Sequence, residues 1–113
     1  MYHYKVKKIN RVIDGDTIDL DIDLGFNITI SQRVRLKDID AAETRTKDLE
    51  EKKKGIDARL WLEKELARKG DWIIETTKED KYGRMLGTLY IVGDPVTVNE
   101  RMLNEGIAAP YLR

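Results

Sequence analysis

Residues 18–24, IDLDIDL, alternate apolar and acidic side chains without a break. Successive side chains leave a strand on opposite sides, so a period of two fits an extended strand with one face on a core and the other on water. Ile18, Leu20, Ile22 and Leu24 are therefore expected inside, with Asp19, Asp21 and Asp23 outside. A period near two holds from Tyr2 to Ile39, interrupted at Asp14-Gly15 and at DLGFN, residues 23–27, both turn-forming sequences. This predicts a three-stranded antiparallel meander whose third strand runs from Ile28 to about Leu36.

The remainder reads as helices and two more strands. Residues 44–55, TRTKDLEEKKKG, have dense charge and no apolar face, which predicts a solvated loop. From Ile56 to Lys69, Ala58, Leu62 and Leu66 recur four apart beside Trp61, predicting an amphipathic helix stopped by Gly70. DWIIETT (71–77) and MLGTLYIV (85–92) read as strands joined by a polar turn, KEDKYGR. Thr97 and Glu100 are spaced as a capping box and Gly106 as a helix stop, so a second short helix follows. Five strands with a helix after the third suit a small closed barrel of the OB type with two helices packed on it. That is a mainly β, α+β fold, expected to form one domain over residues 1–113.

Several functions can be set aside on composition and spacing. An EF-hand loop counted from Asp19 would need glycine one residue before Gly25 and glutamate where Ile30 stands. DGDTI, residues 14–18, approaches a phosphatase-type aspartate motif, but the chain is short for the doubly wound sheet which that chemistry uses. The absence of cysteine and a single histidine, His3, leave oxygen as the ligand type for any metal. Lys plus Arg (21) equals Asp plus Glu (21), so any site for a polyanion must be a local patch. No apolar run reaches membrane-spanning length and MYHYKVKKIN lacks a signal-peptide core, giving a cytoplasmic, membrane-free expectation. Arg35, Asp40 and Glu43 cluster at the end of the third strand. Strict alternation would put Arg35 and Asp40 on opposite faces, so a shared site requires a bulge or twist near Asp38.

Together, VIDGDT (12–17), RVRLKDIDAAET (33–44), DKYGR (80–84) and VNERMLNEGIA (98–108) resemble, in order and spacing, the staphylococcal-type thermonucleases, or micrococcal nuclease-like domains. The resemblance runs from about residue 5 to about residue 111. It implies an OB-fold barrel that binds one Ca²⁺ through Asp16, Asp40 and the backbone carbonyl of Ala41, with Asp14 in support near the metal or its waters. It further implies Glu43 as the base that activates water, and Arg35 and Arg84 as the pair that holds the phosphodiester. Lys81, Tyr82 and Tyr111 resemble residues that contact substrate phosphate or stack on a base. The implied activity is Ca²⁺-dependent endo- and exonucleolytic hydrolysis of DNA and RNA, preferring single-stranded or frayed regions, leaving 3′-phosphate ends and acting as a monomer. Ala42 departs from the family, whose members usually carry proline there, and this predicts a less rigid loop around Glu43. The competing reading is a non-catalytic nucleic-acid- or partner-binding module on the same barrel.

Overall fold

The computed structural model describes residues 2–79 and 84–111. In chain order the elements are β1 (Tyr2–Asp14), β2 (Thr17–Gly25), β3 (Ile28–Leu36), β4 (Ile39–Asp40), α1 (Leu49–Leu66), β5 (Trp72–Glu79), β6 (Met85–Ile91), α2 (Val98–Asn104) and β7 (Ala109–Pro110). Five strands close a barrel in the order β1-β2-β3-β6-β5, with β3 and β6 parallel and the other pairs antiparallel. The mainly β, OB-type barrel with two helices is therefore the observed fold. Among the described residues no helix is long and apolar enough to cross a membrane.

Alternation in β2 places its residues as expected. Ile18, Leu20 and Ile22 are wholly enclosed with Val34, Leu36, Ile74 and Leu89. On the outer face the register sets Asp23 between Lys5 and Thr29, Asp21 between Lys8 and Ser31, and Asp19 between Arg11 and Arg33. Arg33 donates from Nε (2.8 Å) and Nη2 (3.1 Å) to the two Asp19 oxygens. Asp21 accepts from Ser31 Oγ (2.6 Å) and Asn10 Nδ2 (2.7 Å). All three aspartates face outward, yet cross-strand partners occupy Asp19 and Asp21.

The bonds from Arg33 to Asp19, and from Ser31 and Asn10 to Asp21, hold both carboxyls below their ordinary 3.8. A carboxyl depressed in the folded state stabilises the fold above its unfolded pKa, and that contribution is lost as pH falls through the folded value. The urea midpoint should therefore be level above about pH 5 and decline below about pH 4. Replacing Asp19, Asp21 and Asp23 together with Asn should make that decline shallower while leaving turnover within a few-fold. An unchanged acid profile would remove these carboxylates as its source, and a roughly hundredfold loss of turnover would place one of them in the chemistry.

The turn between β2 and β3 follows local chemistry. Gly25, Phe26 and Asn27 all take positive φ (84°, 54° and 62°), and the Asp23 side chain accepts from Gly25 N–H at 2.8 Å. The first turn sits one residue later than expected: Asp14 closes β1 opposite Thr17, and Gly15-Asp16 make the loop. Glycine is needed there for space, since a Cβ on Gly15 would lie 2.7 Å from the Ala58 Cβ and 2.9 Å from the Ala41 Cβ.

The predicted loop over residues 44–55 is corrected. From Leu49 onward it is helix, the first two turns of α1. The Asp48 carboxylate accepts from Glu50 and Glu51 N–H, and two glutamates in the first turn complement the helix dipole. No apolar stripe marks this half because it is solvated, with Leu49 80% exposed. Ala58, Leu62 and Leu66 are buried as expected, although α1 ends at Leu66 with Ala67 as its C-cap, short of Lys69. α2 matches its signals: Thr97 accepts from Glu100 N–H, and Gly106 takes φ 71° beyond the last turn. Two short strands that the alternation did not reveal, β4 and β7, pair antiparallel through Ile39 with Pro110 and Asp40 with Ala109.

Candidate active site

Arg35, at the end of β3, is 9% exposed and organises the cluster. Its Nη1 lies 3.6 Å from Asp16 Oδ2 and donates to the Ile39 carbonyl at 3.2 Å, while Nη2 reaches Asp40 Oδ1 at 3.5 Å. Asp16, Arg35 and Asp40 are thus brought together. The required break in alternation is found where it was expected: Asp38 takes φ 64°, turning the chain so that Asp40 returns to the side of Arg35. Tyr111 stacks on the guanidinium, with the Arg35 carbon 5.0 Å from the ring centroid, and its N–H donates to the Asp38 carbonyl at 3.0 Å. Tyr111 therefore touches the phosphate-binding candidate directly.

The backbone around Asp38 is held by a residue that the pattern reading passed over. Asn99, buried in α2, accepts from Leu89 N–H (3.2 Å) and donates to the Lys37 (3.0 Å) and Gly87 (3.1 Å) carbonyls. It satisfies main-chain groups where β3 leaves the parallel pair with β6. An asparagine two residues after a helix N-cap carries no distinguishing signal in one sequence. Asn99→Ala should cost about 1–3 kcal/mol of unfolding free energy for each buried group left without a partner. Urea denaturation reads this directly, and a loss under 0.5 kcal/mol, the scale of a surface substitution, would refute it.

Asp16 is 8% exposed and both its oxygens are engaged. Oδ1 accepts from Thr17 Oγ1 at 2.9 Å and Oδ2 from Ala41 N–H at 3.0 Å. Asp14 accepts from the N–H (3.3 Å) and the hydroxyl (2.7 Å) of Thr44. The two aspartates of the first turn thus pin both sides of the Ala41–Thr44 loop, where Ala42 replaces the expected proline. Gly55 adds a third constraint, since a Cβ there would fall 2.3 Å from the Glu43 carbonyl oxygen. An isolated glycine inside a charged, helix-forming run was the one signal that could have flagged this approach.

Glu43 lies on that loop, exposed, and its side chain has no partner among the described residues. Arg84 is half-buried immediately before Met85, which pairs with Val34, so its backbone lies beside the end of β3. Lys81 and Tyr82 lie outside the described residues.

Buried Arg35 is shared by two carboxylates, Asp16 and Asp40. Each ionised carboxylate retains lone pairs beyond those in use. Among the described residues no three His, Cys, Asp or Glu side chains gather as a metal group. Asp16, Asp40 and a backbone carbonyl could offer only part of a shell to a hard cation, water supplying the rest, a donor set that fits Ca²⁺ better than Zn²⁺.

A family model described as staphylococcal nuclease homologue matches residues 33–113. An uncharacterised Bacillus anthracis protein is 33% identical over 101 residues, covering 88% of this chain and 44% of its own length. The Escherichia coli protein named ParB is 32% identical over 111 residues, covering 92% of this chain and 56% of its own. The chain spans about half the length of the curated relatives it matches. Asp16 precedes the span of the family model, and its contacts with Arg35 and Ala41 tie it to the cluster.

Proposed function

Because the chain belongs to the staphylococcal nuclease homologue family, we propose that it is a Ca²⁺-dependent nuclease hydrolysing phosphodiester bonds of single-stranded or frayed DNA and RNA. The observation that carries the reading is the Asp16–Arg35–Asp40 cluster beside the pinned Glu43 loop. Of the Arg35 donors, one goes to a carbonyl and one to Asp40, so N–H groups remain for phosphate oxygens. Arg84, carried at the start of the neighbouring strand, would supply the second fork. In a buried setting such forks stabilise charge on the equatorial oxygens more strongly than they would in water.

Glu43 would take a proton as the water oxygen bonds to phosphorus. The P–O5′ bond breaks, its electron pair leaves with the 5′ oxygen, which is protonated from solvent, and a 3′-phosphate and a 5′-hydroxyl result. A Ca²⁺ ion bound at Asp16, Asp40 and the Ala41 carbonyl would supply Lewis-acid polarisation of the phosphate.

The test is cleavage of end-labelled single-stranded DNA in Ca²⁺, in Mg²⁺ and in chelator. Cleavage is expected with Ca²⁺, little with Mg²⁺ because an incomplete flexible oxygen site does not enforce an octahedron, and none in chelator. Equal rates with both ions, or full activity in chelator, would overturn the metal assignment. Tight binding without cleavage under any condition would favour the binding-module reading.

A further inference from the structure

Beside the candidate active site lies a cleft of about 480 Å³, framed by α1 and the segment that leads from α2 into β7. Its lining includes Asp40, Ala42, Lys54, Asp57, Ala58 and Ala109. We propose that this cleft is the subsite for a nucleobase adjoining the scissile phosphate, on the side that faces α1. The inference rests on the nuclease reading and deepens it. Asp40 belongs to both the cleft and the Arg35 cluster, so a group seated here is continuous with a phosphate held at Arg35.

Chemistry selects the occupant. Asp40 and Asp57 outnumber Lys54, which disfavours an anion and suits the uncharged part of a nucleotide. Ala42, Ile107 and Ala109 give the cleft apolar lining, while exposed Lys54 provides a donor and exposed Asp57 an acceptor, the mixed edge chemistry of a heteroaromatic base. The volume is within the ~300–1,000 Å³ of small-molecule sites. Lys54, Asp57 and Ala58 share one helical face because α1 starts upstream of them, at Leu49. Gly106, at φ 71°, turns the chain so that Ala109 pairs with Asp40 and closes the other wall. Among the described residues that line it, Arg35, Arg84 and Tyr111 do not appear.

The experiment uses short oligonucleotides that are fully based, abasic on the 5′ flank of the cleaved bond, or abasic on its 3′ flank. Binding is measured by fluorescence anisotropy and cleavage by single turnover. Wild-type protein should prefer the base on one flank by about tenfold, the low end of what filling an apolar pocket provides. That preference should collapse in Ala109→Phe, which fills the cleft, and in a Lys54→Ala/Asp57→Ala double variant, which strips its rim, with circular dichroism confirming the fold of each. No preference on either flank, or a preference retained in both variants, overturns the subsite. Binding that depends on the base without any cleavage would sink the nuclease reading and leave the subsite standing. No oligonucleotide binding at all would overturn both.

Discussion

Glu43→Gln is expected to slow single-turnover cleavage of a short single-stranded oligonucleotide by about 10²–10⁴, the range lost when a general base is removed. The substitution keeps size and removes only the ability to accept a proton. Its interpretation is clean because the Glu43 side chain is exposed with no partner among the described residues. The loop that carries it is held by other groups: Asp14 on Thr44, Asp16 on Ala41 N–H, and the close approach of Gly55 to the Glu43 carbonyl. Stability in urea and oligonucleotide affinity should therefore change little while the rate collapses. A near wild-type rate would remove Glu43 as the base. An equal loss of affinity and rate would make it a binding group instead.

Arg35→Lys should lose a factor on the order of 10² or more in the same assay, because an ammonium keeps the charge but not the planar fork. Unlike Glu43, Arg35 also holds structure together: it spans Asp16 and Asp40, donates to the Ile39 carbonyl and lies under Tyr111. Lysine cannot reproduce that set, and buried Asp16 would lose part of its compensation, so a lower urea midpoint should accompany the lost rate. Arg84→Lys provides the contrast, with a comparable rate loss expected if it supplies the second fork. Measuring rate, affinity and midpoint for all three variants separates the roles. If Arg35→Lys lowers only the midpoint and cleaves at the wild-type rate once folded, its part is structural.

Where a period of two or a paired cap and stop marked the residues, the sequence alone determined the outcome. Period two in residues 18–24 set which side of β2 is enclosed, and it placed Asp19, Asp21 and Asp23 on the outer face. The Thr97 cap and the Gly106 stop bounded α2 for the same reason, each being a contact within one helical turn. Even the break in alternation at Asp38 was legible, as the only way to bring Arg35 and Asp40 to one side. The first turns of α1 were missed because a solvated helix held by an Asp48 cap shows no hydrophobic period, and its charges read equally well as a loop. Tertiary structure alone decided how the site is held. The pairing of Asp40 with Ala109, the Tyr111 ring over Arg35, the three bonds of Asn99 and the contact of Gly55 with the Glu43 backbone each join segments far apart in the chain. Such contacts are fixed by barrel closure, which brings the ends of β2, β3 and β6 together with α1 and α2, and no local periodicity encodes which distant residues closure will make neighbours.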